Sequence, residues 1–432
     1  MQGTHLLGQM LGLLPRSKFD SLVQQYQGDK GSKGIICWDI LTTMLFAQLS
    51  GTDSLREITQ GMAAHHSKLG QFGQAWLPKP SSLSYAIGHR PWEIFAKLYE
   101  ALVPIAQREC GTSKRAISGL QNAVFSIDST TIDLALGLFS WAKFRAHKGA
   151  IKLHTVIDNA TTLPVFVQMT DGKVHDVRGL REEIMPEFQF PANSVIVMDR
   201  GYSDYKLWKQ WNDEQVWFVT RLKDGLNWDE IESLPVFHGP ELEGQSAIRR
   251  DSLIALTSEK GKEACPFLLR RIVVWDPIGR REIVLVSNNL KFTARQIADI
   301  YKDRWQVELF FKKIKQNLRI TSFVGTSINA VKIQVYTALC AVLLVEILRA
   351  RSRSQRLIRW EEEKTDLSRT APSKPKDSLA YSNFVALLRL NLFIYRDLKE
   401  WLLNPFMPPP IQKTSPGLGP IFGQHVSGLA RS

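Results

Sequence analysis

The stretch that most constrains the fold is residues 194–199, SVIVMD, whose four central residues are all apolar. Such a short run is typical of a strand buried on both faces, as in the middle of an α/β sheet. The surrounding pattern predicts the order strand, strand, strand, helix, strand, helix, strand. The predicted segments are 123–128, 151–158, 163–169, 176–185, 194–199, 204–211 and 216–222. We therefore predict an α/β core.

Helical periodicity dominates the region before this core, and we predict that residues 1–118 form an all-helical N-terminal domain. Candidate helices cover 38–49, 54–64 and 92–107. Short helices joined by tight turns, with Lys79, His89 and Arg90 nearby, could form a helix-turn-helix that docks on DNA. A small helical bundle with scattered surface charge is the alternative.

The region after the core alternates between β-rich and helical patterns. Residues 223–292 are predicted to be a β-rich insertion, with strands over 268–275 and 282–287, and a helix is predicted over 293–318. A charged linker over 352–378 and an amphipathic helix over 381–403 follow. The predicted units are 1–118 (helical), 119–350 (α/β with the insertion), 351–404 (linker and C-terminal helix) and 405–432 (disordered tail).

The net charge of +13, from 55 basic and 42 acidic residues, predicts a polyanionic partner. An anionic membrane is the weaker choice, because the apolar run over 335–345 is shorter than the roughly 20 residues that a bilayer requires. The pattern indicates a buried helix, and no signal peptide is recognisable. Four cysteines without a CxxC pair favour a reducing compartment. We expect a cytoplasmic protein that binds nucleic acid.

Two predicted strands end in an aspartate: Asp128 closes VFSID and Asp199 closes VIVMD. The carboxyl ends of strands in an open α/β sheet collect catalytic groups, and carboxylates there can bind Mg²⁺ or Mn²⁺. Aspartates at such junctions also cap turns and helices, which is the more common role. The competing candidates at similar junctions are Asp133, Asp158, Asp171, Asp176, His154 and His175.

A third carboxylate occurs in a more specific pattern. Tyr301, Arg304, Glu308 and Lys315 are separated by three, four and seven residues, which places them on one face of a helix. A carboxylate between two cations and a phenol suits a phosphate backbone lying across a metal site. The alternative is a solvated helix face with ordinary i,i+4 ion pairs.

The four spaced residues resemble the Y-x2-R-x3-E-x6-K signature of bacterial insertion-sequence DDE transposases, the YREK group of insertion-sequence family four. Asp128 and Asp199 fall where that family has its other two catalytic carboxylates, and the long stretch between Asp199 and Glu308 resembles its β-rich insertion. The resemblance covers about residues 120–350. It implies a ribonuclease-H-like catalytic domain between an all-helical N-terminal domain and C-terminal helices.

The resemblance also implies a mechanism. Asp128, Asp199 and Glu308 would be the catalytic residues and would bind two Mg²⁺ ions, for which Mn²⁺ can substitute. The reaction would be hydrolysis at the ends of the mobile element to free a 3′-OH, which then attacks target DNA. The partners would be double-stranded DNA, both element ends and target, and a second protomer in a synaptic homodimer.

The residues implied to contact DNA lie mainly on the predicted catalytic helix. Tyr301, Arg304 and Lys315 would hold phosphates, within a segment, 301–319, that has six basic and two acidic residues. The other basic candidates are Lys312, Lys313 and Arg319. An aromatic residue of the insertion would stack on a flipped base, and Trp275 is the candidate, with Trp217 and Trp228 as rivals.

Two alternatives remain at this point. A metal-dependent nuclease would cut without joining, and a catalytically silent DNA-binding protein could derive from a transposase. The presence of all three carboxylates disfavours the silent protein. The expected location is the nucleoid in the bacterial cytoplasm, with no membrane partner.

Overall fold

The structure, a computed structural model, describes most of the chain. It covers residues 4–70, 73, 77–111, 117, 119–135, 137–145, 148–236, 247–317, 323–365 and 379–406. The predicted tail from 407 onward and Arg319 lie outside the described residues.

The N-terminal region is helical, as the periodicity predicts. Its helices are α1 (Leu6–Leu11), α2 (Arg16–Gln25), α3 (Cys37–Ser50), α4 (Leu55–Ala64), α5 (His66–Leu69), α6 (Pro80–His89) and α7 (Glu93–Cys110). Two of the three basic residues proposed for a helix-turn-helix have structural contacts. Arg90 donates to the Ile35 carbonyl at 2.9 Å, and the His89 ring stacks on Tyr85.

The central region forms one mixed sheet. Its strands are β1 (Val124–Leu134), β2 (Lys143–Arg145), β3 (Lys148–Asp158), β4 (Leu163–Asp171), β5 (Val195–Met198), β6 (Trp217–Arg221), β7 (Trp228–Ser233), β8 (Ala247–Leu256), β9 (Leu269–Asp276) and β10 (Arg281–Ser287). The order is β2-β3-β1-β5-β6-β10-β9-β8-β7, with β4 paired to β3. β1, β5 and β6 are parallel neighbours, and every residue of β5 is buried, as predicted for SVIVMD.

The β-rich insertion is continuous with this sheet. β10 pairs antiparallel with β6, so β7 to β10 extend the core sheet. One face is covered by α8 (Asp176–Gly179), which continues as a π-helical turn, Leu180–Ile184, and by α9 (Tyr205–Asp213) and α10 (Glu259–Ala264). Asp204 caps α9 by accepting the Lys206 and Leu207 N–H groups.

The other face of the sheet is covered by α11 (Ala294–Asp303) and α12 (Trp305–Asn317). We predicted one continuous helix, but the chain changes helical geometry at Arg304. The Arg304 N–H bonds to the Tyr301 carbonyl and the Val307 N–H to the Arg304 carbonyl, both i to i+3. This tighter turn separates the two helices at Arg304, which pairs with two carboxylates as described below.

The longest element is α13 (Ile328–Thr365), whose length passes through the predicted linker. The linker prediction is therefore wrong as far as Thr365; residues 366–378 lie outside the described part. Two residues at the start of this segment have distant partners, since Arg353 donates to the Cys110 carbonyl at 3.2 Å and Ser352 donates to the Leu402 carbonyl at 2.8 Å. By length and composition one helix, Ile328–Glu362, could span a membrane, but 94% of its apolar window is buried inside the protein.

The C-terminal amphipathic helix is in fact two helices, α14 (Tyr381–Asn391) and α15 (Leu398–Leu403). Asp397 caps α15 by accepting the Glu400 N–H, which starts a new helix after the break. The predicted single helix over 381–403 is thus wrong in its middle.

The N-terminal helices do not form a separate core. Residues of α3, α7, α13, α14 and α15 belong to one apolar cluster, which also includes α12 and the sheet residues Ile132 and Leu153. The predicted boundaries at 118 and 350 therefore do not separate hydrophobic cores, and the second one cuts α13. Sequence composition marks where the pattern changes but not which apolar faces meet.

A buried ion-pair cluster joins α13 to α12. Glu346 Oε1 accepts from Lys313 Nζ at 2.5 Å and its Oε2 accepts from Arg349 at 2.7 Å, with Glu346 only 8% exposed. Burial alone would raise the pKa of Glu346, but the two cations outweigh it and hold that pKa below its ordinary value. Lys313 and Arg349 therefore favour the ionised form of Glu346.

Replacing this charge should destabilise the protein. We expect Glu346→Gln to lower the free energy of unfolding by about 3–5 kcal/mol, because two nearly buried cations lose their partner. The matched control is Glu100→Gln, which breaks the exposed pair with Lys97 and should cost under about 1 kcal/mol. Denaturant midpoints measure both, and equal shifts would contradict the prediction.

Candidate active site

The two strand-end aspartates lie side by side. Ile127 of β1 and Met198 of β5 are the last register partners of the parallel pair, and Asp128 and Asp199 are the next residues. Adjacent strands are about 4.8 Å apart, and equal positions point to the same face. Each carboxylate accepts the N–H of the following residue at 2.8 Å, Ser129 for Asp128 and Arg200 for Asp199. The predicted neighbourhood of the two acids is therefore present.

Glu308 reaches the same place from α12. Three of the apolar residues of that helix, Val307, Phe310 and Ile314, are buried against the sheet face to which the aspartates point. At the junction before the helix, Asn159 donates to Asp303 at 2.9 Å and accepts from Ser126 of β1 at 2.7 Å. These contacts fix the junction of α11 and α12 over the end of β1.

Arg304 joins the first and third carboxylates. Its guanidinium contacts Asp128 Oδ2 at 3.4 Å and donates to Glu308 Oε1 at 2.6 Å. The Arg304 side chain is 15% exposed, and its Nε has no hydrogen-bond partner within the described residues. A single cation thus bridges two carboxylates, at the place where the resemblance implies metal ions.

Tyr301 and Lys315 complete the four-residue signature. Tyr301 is half-buried, its ring lies 5.7 Å from the Arg304 guanidinium, and burial raises the pKa of its phenol. Lys315 Nζ donates to the Thr131 carbonyl of β1 at 3.0 Å, and burial lowers its pKa. The four signature residues are therefore grouped beside residues 128–131 of β1. They belong to two helices, however, and not to one face of a single helix as predicted.

The other basic candidates differ in whether their charge is available to bind DNA. Lys312 is exposed on α12. Lys313 instead pairs with Glu346 and lies 4.7 Å from the Tyr381 ring, so its charge is already used within the protein.

Trp275 lies beyond the same strand ends as the aspartates, but on the other face of the sheet. The register of the neighbouring strands places three residues at the same height along the sheet as Asp199, namely Arg221 of β6, Leu285 of β10 and Ile272 of β9. Trp275 is three residues beyond Ile272, so it projects about 10 Å past that level with the opposite side-chain direction. Its rivals are also engaged: Trp228 stacks under Arg271 at 4.6 Å, and Trp217 packs against the core.

Three of the six competing residues serve the fold. Asp158 closes a turn by accepting from Thr161 at 2.8 Å, and Asp171 accepts the Lys173 N–H at 3.0 Å. His154 is fully buried, and burial, followed by the charge of Lys152, lowers its pKa to about 4. A neutral imidazole in the core is the structural role expected of a solitary histidine.

Two further residues lie near the site: Trp305, which the sequence did not single out, and Asp176, which was one of the competing candidates. Trp305, directly after Arg304, has a side chain that is 57% exposed. Asp176 accepts a hydrogen bond from Ser129, the residue after Asp128, at 2.6 Å. Trp305 could have been found from the sequence, because this large aromatic residue lies beside Arg304 and outside the apolar pattern of α12. Asp176 had no distinguishing local signal.

The donor set fits divalent ions. Asp128, Asp199 and Glu308 supply only carboxylate oxygens, which are the ligands that Mg²⁺ and Mn²⁺ prefer. Within the described part of the chain, no three acidic, histidine or cysteine side chains converge as a ready metal site. Because Arg304 holds Asp128 and Glu308 through a guanidinium, metal binding by these residues requires Arg304 to move aside.

The electrostatics of Asp128 predict a pH-dependent stability. Burial raises its pKa from 3.8 to about 6, although the Ser129 N–H and the charge of Arg304 act in the opposite direction. The folded protein therefore holds this proton more tightly than the unfolded chain and loses stability as pH rises from about 4 to about 6.

We expect Asp128→Asn to be more stable than the parent protein at pH 7.5, by up to about 3 kcal/mol, and no more stable at pH 4. The reason is that the substitution removes an ionisation that burial disfavours. Unfolding in the absence of metal at a series of pH values measures the difference. A stability gain that is constant from pH 4 to 7.5 would contradict it.

Comparison with known proteins gives two family matches. The family described as "Transposase DDE domain" matches residues 120–344, or 225 of 432 residues, and "Domain of unknown function (DUF4372)" matches residues 2–75.

Individual proteins agree with the first match. "Putative transposase y4zB" of Sinorhizobium fredii is 31% identical over 270 residues, covering 62% of this chain and 71% of the relative. "Probable transposase for insertion sequence element IS5377" of Geobacillus stearothermophilus is 28% identical over 276 residues, covering 64% and 68%. Among solved structures, a cryo-EM piggyBac transposase synaptic complex with hairpin DNA aligns over 94% of this chain and 84% of that one, at 10% identity. Its TM-score of 0.38 is too low to support an argument.

Proposed function

Because this chain belongs to the DDE transposase family of insertion sequences, we propose that Asp128, Asp199 and Glu308 are its catalytic residues and bind two Mg²⁺ ions. The observation that carries the proposal is the bridge from Asp128 through Arg304 to Glu308, with Asp199 next to Asp128 in register. Mn²⁺ would substitute for Mg²⁺. When bound, the two ions would supply the Lewis acidity for an in-line displacement at phosphorus.

The proposed reaction has two steps that exchange phosphodiester bonds. A water oxygen bonds to phosphorus at the element end while the P–O3′ bond breaks, which frees a 3′-OH. That 3′ oxygen then attacks a phosphodiester of the target, and one phosphodiester replaces another without any external energy source. The protein's part is to hold both substrates with the reacting oxygens in line.

The cations around the site would bind the DNA backbone. Arg304, once displaced from the carboxylates, can present its planar guanidinium to a phosphate, and Tyr301 and Lys315 lie beside it. Lys312 is available on the same helix, whereas Lys313 would have to leave Glu346. We also propose Arg319 as a phosphate contact, on the sequence alone. The assignment to the YREK group rests on these same signature residues.

The remaining partners are proposed by the same reasoning. The helical N-terminal region would bind the terminal inverted repeats, and two protomers would hold two ends in a synaptic homodimer. The site of action would be the nucleoid of a bacterial cytoplasm. The +13 net charge agrees with DNA as the polyanion.

The test of the catalytic residues is a cleavage and strand-transfer assay with the element's own ends and Mg²⁺. We expect Glu308→Gln to lose at least about 1,000-fold in both steps, as expected when a group essential to the chemistry is removed, while still binding DNA. The matched control is Asp299→Asn, on α11 and paired with Arg295, which should keep full activity. Normal cleavage and joining by Glu308→Gln would refute the metal site, and cleavage without joining by the parent protein would favour a nuclease.

Two tryptophans are alternatives for stacking on a flipped base. Trp275 is the choice from the resemblance, but Trp305 is the exposed indole adjacent to Arg304. We expect Trp305→Ala to reduce end cleavage by about 10-fold or more, in keeping with the 1–3 kcal/mol that stacking on a base contributes, and Trp275→Ala to have a smaller effect. Fluorescence of 2-aminopurine at the terminal positions reports unstacking directly. Equal signals for Trp275→Ala and the parent protein would remove Trp275 from the proposal.

A further inference from the structure

A fourth carboxylate, Asp176, lies between the two aspartate-bearing strand ends. It begins α8, and its Oδ1 accepts from the Ser129 hydroxyl at 2.6 Å. Its Oδ2 lies 3.6 Å from the point where a Cβ on Gly201 would be. One side chain therefore touches the residue after Asp128 and the turn that follows Asp199.

Lys152 holds this carboxylate from one side. Its Nζ donates to Asp176 Oδ1 at 3.1 Å and to the Val174 carbonyl at 2.8 Å. Lys152 is on β3, opposite Thr131 of β1, and its side chain is 14% exposed. Asp176 Oδ1 accepts both hydrogen bonds, from Ser129 and from Lys152. No described donor bonds to Oδ2, which lies on the side that faces Gly201.

The network reaches Asp128 through Ser129. The Ser129 N–H donates to Asp128 while the Ser129 hydroxyl donates to Asp176, so Asp176 restrains the residue that orients Asp128.

Two separate cations pair with the carboxylates near the site. Arg304 is shared between Asp128 and Glu308, and Lys152 pairs with Asp176. Arg304 lies at the end of a helix and can leave with its substrate phosphate. Lys152 is anchored by a backbone carbonyl, so its cation stays beside the carboxylates.

We propose that Asp176 is a positioning residue of the metal site, which orients Asp128 through Ser129 and, with Lys152, sets the affinity for divalent ions. This rests on the proposed function, since it takes Asp128, Asp199 and Glu308 as the ligands. Outer groups that orient ligands commonly change metal affinity by about 10- to 100-fold when removed.

The test is a titration of the full-length protein with Mn²⁺, followed by electron paramagnetic resonance. Asp176→Asn keeps an oxygen that can accept from Ser129 and Lys152 but removes the charge, and we expect the dissociation constant to rise about 10-fold. Lys152→Met removes the opposing cation, and we expect tighter binding than in the parent protein. Asp171→Asn, an exposed acid at the end of β4, is the matched control and should bind as the parent does.

The opposite signs of the two substitutions separate this role from a structural one. If Asp176 and Lys152 served only the fold, breaking their ion pair from either side would weaken Mn²⁺ binding in both variants. Weaker binding in both, or no change in Asp176→Asn, would overturn the inference. Thermal unfolding of each variant accompanies the titration, and the Lys152→Met result remains decisive if Asp176→Asn unfolds.

The same titration with Glu308→Gln distinguishes the inference from the proposed function. If Glu308→Gln loses Mn²⁺ binding while Asp176→Asn keeps it, only the positioning role fails. If Glu308→Gln binds as the parent does, or the parent takes up no Mn²⁺, the metal site fails and the inference with it.

Discussion

The burial of α13 is the constraint on which the rest of the structure depends. Its apolar residues pack against the N-terminal helices α3 and α7 and against the C-terminal helix α15, within one core that extends to the sheet. Its one buried acid, Glu346, is paired with Lys313 of α12. The helix that carries Glu308 is thus tied both to the sheet below it and to the helical core behind it.

Arg304 has two opposed roles. It stabilises the fold by pairing with two carboxylates that would otherwise repel each other in a half-buried position. In the proposed function it also lies where the ions would bind, so it would have to leave these carboxylates. A guanidinium that exchanges carboxylates for a phosphate would meet both requirements, because substrate and metal would then favour the same movement.

The sequence was informative where the determinant is local and less so where it depends on distant contacts. The apolar run 194–199 predicts a buried strand, and the position of Asp199 beside Asp128 follows from the parallel sheet. The linker prediction failed because the partners of Arg353 and Ser352 are 243 and 50 residues away, so the charged composition alone indicated a loop. Asp176 was one of several acids near strand ends, and only its contact with Ser129 distinguishes it.

The distance along the chain between the carboxylates has a consequence for the cell that makes this protein. Asp128 and Glu308 are 180 residues apart, and the two residues meet only through Arg304. At about 5–20 residues per second, the ribosome needs roughly 10–40 seconds to pass from one to the other. During that time the nascent chain has both aspartates but lacks Glu308, the third residue of the proposed catalytic centre. Under the proposed function, a chain that stalls or is cut before residue 308 would be unable to break the DNA of its host.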